Sequence, residues 1–235
     1  MSECPKCGHN QIVKAGKIWD KQRWKCKACG FQFTRSTARG RPLWQKSLAV
    51  FLYCHGVSMN ALAKMFQVQT TSVLKWIRKF AKEHYEKPEP EGKAIIMELD
   101  EMWHYGQKKP SKLWIWKAID RDTGQLLDWE CGHRDTETLK KLVERLSQWK
   151  VRLYYTDKWE AYASVLPADK LVMDKSLTHE IERNNCRNRH WFGRFKRRSI
   201  VVSKSVEMVD LTMALFARFR VNGNVSEIFA LSIVS

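Results

Sequence analysis

The stretch Ala94-Ile95-Ile96-Met97-Glu98-Leu99-Asp100 decides the fold. It is short, apolar and ends on an acid, the pattern of a strand buried in a sheet. Just before it, Glu86-Lys87-Pro88-Glu89-Pro90-Glu91-Gly92 is polar and proline-rich and reads as a linker. After it, residues 112–120 and 125–131 read as strands, and 135–149 as a helix with Leu139, Leu142, Val143 and Leu146 on one side. Val151–Thr156 is a further strand, and Lys170–Met173 another. Helices are expected from about 178 to 198 and from 205 to 220.

Three strands, helix, strand, helix, strand, helix is the order of a ribonuclease H-like domain. The fold class expected is α/β, with that domain over residues 94–220. Upstream, residues 42–86 read as a separate helical module. Pro42 can open a helix, and Leu48, Phe51 and Leu52 form its apolar stripe. Ser58 can cap a second helix, and Thr70 or Thr71 a third, whose Val73, Ile77 and Phe80 recur at helical spacing. The other side of that third helix carries Lys75, Arg78, Lys79 and Lys82. A short helix, a turn and a basic-faced helix read as a helix-turn-helix that binds DNA; a plain trihelical bundle with a solvated basic face is the competing reading.

Cys4-Pro-Lys-Cys7 and Cys26-Lys-Ala-Cys29 lie at the other end of the chain, each followed by a glycine, Gly8 and Gly30. Two C-x-x-C pairs separated by eighteen residues are the form of a zinc ribbon with a Cys4 shell, here over residues 1–38. A redox pair is the alternative. Cys54, Cys131 and Cys186 are left over with no spacing logic. Free thiols beside a thiolate zinc site suit a reducing cytoplasm.

The 235 residues carry 42 Lys and Arg against 25 Asp and Glu, a net charge of +17. That balance favours a polyanion, DNA first. An anionic membrane is disfavoured, because no run approaches the ~20 apolar residues of a spanning helix. No apolar segment of a secretory signal stands near the start.

Acids at strand ends in such a chain raise the possibility of metal. Asp100 closes the first strand of the large domain and Asp157 the strand Val151–Thr156; in this sheet those strands are neighbours. Glu182 follows Asp157 after twenty-four intervening residues, on a predicted helix where it shares a face with Asn185 and Arg189. Three convergent carboxylates are hard ligands for Mg2+ or Mn2+, and two such ions serve phosphoryl transfer. Glu98, Glu101 and Glu180 compete: Glu98 shares the face of Asp100, Glu101 is expected to point the other way, and Glu180 lies about 200° from Glu182. From Arg183 to Val206 there are eight Lys and Arg and no acid; Arg194, Lys196, Arg197 and Arg198 cluster there as candidates for the DNA backbone.

Taken together the chain resembles the transposases of the insertion sequence one type, which carry a DDE catalytic domain. The resemblance rests on the two cysteine pairs, the helix-turn-helix, Glu98–Trp103, Tyr155-Thr156-Asp157, Thr178–Asn185 and Ser203–Met208, and runs to about residue 220. It implies a catalytic triad of Asp100, Asp157 and Glu182, a basic partner at Arg189 and a supporting role for His179. It also implies that the ribbon and helix-turn-helix bind the terminal inverted repeats, that target DNA is the second partner, and that the protein works as at least a dimer on chromosomal DNA in the cytoplasm of a prokaryotic cell. Residues 221–235 fall outside it, as a tail of unknown role. Two other functions fit parts of the sequence: a non-catalytic DNA-binding repressor or inactive copy, and a ribonuclease H-like nuclease that cuts without joining.

Overall fold

The computed structural model describes residues 3–34, 40–106, 111–197 and 203–231, and the chain divides into two compact units, residues 1–42 and 43–235. The small unit is a three-stranded antiparallel sheet of β1 (Ile12–Ile18), β2 (Lys21–Cys26) and β3 (Gln32–Phe33), in that order. Its core is Cys4, Cys26 and Phe33, with Ile12 and Trp24 packed on them. At ~1.5–3 kcal/mol per buried large side chain, so few residues cannot repay the ordering of some thirty, at ~1–2 kcal/mol each. The two cysteine turns are alike. Gly8 donates its N–H to the Cys4 carbonyl and Gly30 to that of Cys26, both with φ +71°, where a side chain would be strained.

The large unit is built on a five-stranded sheet ordered β6-β5-β4-β7-β8. β4 (Ile95–Tyr105), β5 (Lys112–Asp120) and β6 (Leu126–Gly132) form an antiparallel meander. β7 (Val151–Thr156) and β8 (Leu171–Met173) join in parallel on the other side of β4. This is the ribonuclease H-like arrangement, with the fold-deciding stretch at its centre. Alternate β4 residues face opposite layers. Met97 and Leu99 pack with α4 (Thr136–Leu146) and α5 (Glu160–Val165) in one core, through Leu139, Leu142, Leu146 and Tyr162. Met102, with Ile115 and Ile119 of β5, faces the second core.

That second core also takes in α1 (Leu43–Cys54), α2 (Met59–Met65), α3 (Thr70–His84), α6 (His179–Trp191) and α7 (Val206–Phe216). The stretches read from sequence as two bodies, 42–86 and 94–220, therefore share one hydrophobic core. Val73, Ile77 and Phe80 are buried in it. α1 is buried on more than its expected stripe, because α3 lies on one flank and α8 (Glu227–Leu231) on another; its deepest residues are Ser47, Ala49, Val50 and Cys54. Ser58 caps α2 through the Ala61 N–H at 3.2 Å. The cap of α3 is neither threonine. Gln69 takes that position without a side-chain bond, and Thr70 instead donates to Asn60. α6 ends at Trp191 rather than near 198, because Phe192 leaves helical dihedrals and is 2% exposed in the core. The described part of the tail is docked rather than loose. Ile228 is fully buried, Phe229 packs on Phe51 at 4.9 Å, and Arg218 pairs with Glu227 at 2.5 Å.

Candidate active site

Asp100 lies midway along β4 and Asp157 immediately after β7, where that strand leaves the sheet. The parallel pairing ends with Glu98 opposite Tyr155, so two residues on the acids come level. Asp100, Asp157 and also Glu101 offer carboxylate oxygens within 4.8 Å of one another. Glu101 was expected to point away. It lies on the α5 side, as alternation requires, but β7 stops at this point and leaves its carboxylate free to approach Asp157. It is already neutralised there: Arg134 binds it at 2.5 Å and the Tyr162 hydroxyl donates to it at 3.1 Å.

α6 crosses the opposite face, held by two matched rungs. Glu98, fully buried, accepts the Ile181 N–H at 2.9 Å and pairs with Arg121 at 2.6 Å. Asp100 accepts the Asn185 side-chain N–H at 2.6 Å. Two residues of strand advance ~6.7 Å and four residues of helix 6 Å, so the same spacing is met on both elements. Glu98 thus serves as the anchor of the helix N-terminus, where a carboxylate satisfies an otherwise orphan N–H. Burial raises its pKa, against the Ile181 hydrogen bond and the Arg121 charge.

Lys117 completes the face and was missed from sequence. It is the direct cross-strand partner of Asp100, is 0% exposed, and donates to the Asn184 side chain at 2.6 Å. Burial brings its pKa down to about 7 against the attraction of Asp100. The signal was there to read: a lone lysine inside Leu113-Trp114-Ile115-Trp116-Lys117-Ala118-Ile119. Asp100 is displaced the other way. Burial, then the charge of Glu101, push it up to about 7, with Asp157 adding and Lys117 opposing. Asp100 is half-buried and crowded by two other carboxylates, more negative charge than Lys117 offsets, and a divalent cation would balance it. The oxygen donor set fits Mg2+ or Mn2+.

The remaining candidates divide. Glu182 is exposed on α6, one turn before Asn185 and on the same face. Glu180 is taken by Arg183, with both oxygens at 2.7 Å. Arg189 is half-buried one turn beyond Asn185; burial, then Arg197, lower its pKa while Asp100 draws it up. His179 is exposed beside Glu180 at 3.5 Å and is not brought to the aspartates. On α3, Lys75 and Lys79 are exposed, whereas Arg78 and Lys82 reach Glu207 of α7 at 3.4 and 2.8 Å. Arg194 is half-buried against Ser203, and Lys196 and Arg197 are exposed. Arg198 lies outside the described residues.

In the small unit Cys4, Cys7, Cys26 and Cys29 place their sulfurs within 4.8 Å of one another. Cys4 and Cys29 are 3.7 Å apart, as are Cys7 and Cys26. Zn–S bonds of ~2.3 Å in a tetrahedron put sulfurs ~3.8 Å apart, so the cluster fits zinc and can hold it. No cysteine of the chain is in a disulfide. No helix among the described residues is long and apolar enough to cross a membrane.

A ribonuclease H-like sheet with acids gathered at its central strands is the scaffold of metal-dependent enzymes that process nucleic acids. The profile of the IS1 transposases matches residues 94–221. The chain is 34% identical over 123 residues to the insertion element iso-IS1n protein InsB of Shigella dysenteriae, spanning 52% of this chain and 94% of that one. It is 35% identical over 116 residues to the IS1 protein InsB of Shigella flexneri, 49% of this chain and 88% of that one. Among solved structures, the HTLV-2 integrase catalytic core in complex with magnesium superposes with a TM-score of 0.38 at 13% identity, over 61% of this chain and 99% of that one. At that score nothing about chemistry follows from it. The chain belongs to the IS1 transposase family. It is a DDE-type transposase, a metal-dependent enzyme acting on DNA.

Proposed function

We propose that this transposase binds the terminal inverted repeats of its element, cleaves the strand at the element boundary and joins the freed 3′-OH to target DNA. The observation that carries this reading is the meeting of Asp100 and Asp157 within 4.8 Å beneath the α6 face that bears Glu182, Asn185 and Arg189. Asp100, Asp157 and Glu182 would hold two Mg2+ or Mn2+ ions, which supply activation of the attacking oxygen and stabilisation of the leaving one. The chain's own residues do the rest. Asn185 fixes the rotation of the Asp100 carboxylate through the hydrogen bond to Oδ2. Lys117 beside it supplies positive charge within the sheet. Arg189, further along α6, is placed to meet a phosphate oxygen. Lys75 and Lys79, with Lys196 and Arg197, hold DNA backbone, and Arg78 and Lys82 join them where Glu207 leaves donors free. The ribbon, with zinc on Cys4, Cys7, Cys26 and Cys29, adds further contacts to the repeat. Two element ends must be joined in one complex, so the active form is at least a dimer, working on cytoplasmic chromosomal DNA.

Strand transfer tests the reading. Purified chain, Mg2+, a labelled duplex carrying the element end and a target plasmid are combined, beside the Glu182→Gln protein. Joined product from the wild type alone is expected. Cleavage without joining would leave a nuclease. End binding with neither cleavage nor joining in both proteins would leave a DNA-binding repressor.

A further inference from the structure

A cavity of about 460 Å³ opens within the large unit, away from the carboxylates. Four segments wall it: the turn between α1 and α2, the first turn of α3, the turn after α6, and the approach to α7. The cavity is built, not incidental. Gly56, at φ +87°, lies so close to the end of α6 that a Cβ there would stand 3.0 Å from the Trp191 carbonyl oxygen. Gly193 would bring a Cβ to 3.2 Å from the Gly56 oxygen. Two glycines let the backbones meet at that wall.

The lining has two characters. Leu74, Met59, Phe192 and Met208 make an apolar recess. Arg78, Arg194 and Lys204 bring three positive charges, and no carboxylate lines the cavity. Both arginines are held in place. Arg194 donates to the Ser203 hydroxyl at 2.7 Å, and that hydroxyl is hydrogen-bonded to His104 Nε2 at 2.7 Å. Burial and the Arg194 charge lower the His104 pKa to about 4, so the imidazole is neutral. Arg78 is tethered by Glu207 at 3.4 Å. The Nε of each arginine is buried with no partner among the described residues.

An apolar recess with a cationic mouth is the shape of a phosphorylated flat ring, and the volume is within the range of sites for molecules of that size. The phosphates of a paired duplex would reach the arginines but leave the recess unused, since the bases are stacked inside the helix. We propose that this cavity takes one unpaired nucleotide of the bound DNA, its base against Leu74 and Met59 and its phosphate between Arg78 and Arg194. This rests on the transposase reading, because DNA is the source of the nucleotide. It also ties α3, the basic-faced helix, to the turn that follows catalytic helix α6 through a single nucleotide. Apolar contact with an extruded base offsets the cost of unpairing it, which is least where the base has no partner.

The test compares binding of the full zinc-loaded chain to a labelled duplex and to the same duplex with one unpaired thymidine, placed at successive positions from the element end. Tighter binding by tenfold or more at one position is expected. Leu74→Trp, which fills the recess from α3, should abolish that preference while changing affinity for the paired duplex less than twofold. A 5-iodouracil at the preferred position should cross-link to the wild-type chain on the cavity wall, a readout independent of any variant's folding. No positional preference, or a cross-link mapped elsewhere, overturns the proposal. Free 5′-TMP that cross-links in the cavity while the unpaired duplex does not would overturn it too, in favour of a small-molecule effector. Strand transfer is assayed separately, so joining by a protein that shows no preference removes this inference and leaves the transposase reading intact.

Discussion

Replacing Asp100 with asparagine should make the protein more stable while removing its chemistry. Asp100 is pushed from 3.8 to about 7, which at 1.36 kcal/mol per pH unit is about 4 kcal/mol of cost once the group is ionised. The sign follows from proton uptake. Below pH 4 both folded and unfolded chains hold the proton and Asp100 costs nothing. Between pH 4 and 7 only the folded chain holds it, so stability falls as pH rises; above pH 7 the whole cost is present. Asparagine is isosteric with the protonated form and keeps an oxygen to accept the Asn185 N–H at 2.6 Å. Lys117, itself drawn down to about 7, loses the attraction of the Asp100 charge in the variant, which takes back part of the gain. In magnesium-free buffer the variant should therefore match the wild type near pH 4 and exceed it by about 2–4 kcal/mol at pH 8, roughly 5–15 °C in Tm for a unit of this size. Thermal unfolding at four pH values measures this. Adding Mg2+ or Mn2+ should raise the wild type toward the variant and leave the variant unmoved. A variant no more stable than wild type at pH 8, or a gain of equal size at pH 5 and pH 8, would refute the claim that a half-buried, crowded carboxylate awaits a cation here.

Glu182 and Glu101 should separate by function and stability. Glu182→Gln should abolish joining by 10³-fold or more with Tm within about 1 °C, whereas Glu101→Gln should cost about 1–3 kcal/mol through its Arg134 and Tyr162 partners; joining that survives Glu182→Gln but not Glu101→Gln would reassign the third ligand. Lys117→Met should leave stability unchanged or higher, because it removes a buried charge. It also removes a cation that lowers the Asp100 pKa, so the acid limb of the joining pH profile should move to higher pH; an unmoved limb would count against that coupling. Cys26→Ser should lose one zinc per chain by elemental analysis and unfold the small unit, since metal contributes ~10–16 kcal/mol in such modules, while the transition of residues 43–235 persists. End-DNA affinity should fall by ~0.9 log unit per log salt for each phosphate neutralised; a flat dependence would argue against contacts through Lys75, Lys79, Lys196 and Arg197.

Much of the sheet was legible because its signals are local. The run 94–100 is apolar enough to be buried on both faces, and the pairing of its neighbours follows from strand order. The cysteine turns were legible for the same reason, since two thiolates and a following glycine specify one knuckle. What escaped notice depends on contacts between distant elements. Glu98 looked like a rival of Asp100, and only the helix lying over β4 shows that it anchors the Ile181 N–H. The helices of 43–84 were read as a free-standing module because α3 is amphipathic by itself; nothing local says that α7 and β5 complete its core. The tail carried no motif, yet Ile228 finds a buried place against residues more than a hundred and fifty positions earlier.

The identity of the third carboxylate shows how these two kinds of information combine. Helical spacing set Glu180 and Glu182 on opposite sides of one helix, and the family resemblance pointed to Glu182. The rungs Glu98–Ile181 and Asp100–Asn185 fix the rotation of α6 about its axis. Once Asn185 faces Asp100, the residue three positions earlier shares that face, and the residue five positions earlier does not. Glu182 is exposed and in no described ion pair, so none has to be given up for it to turn toward the aspartates. Glu180 would first have to give up two hydrogen bonds to Arg183. A cation at Asp100 and Asp157 would draw in the unencumbered carboxylate on that face of α6. Shifting the register of the rungs is thus a sharper perturbation than removing any one ligand. Asn185→Leu deletes the Asp100 rung while keeping all three acids. It should leave Tm within about 2 °C but lower joining by 10²-fold or more, with the loss in kcat rather than in DNA affinity; unchanged joining would mean that the helix is oriented by Glu98 alone.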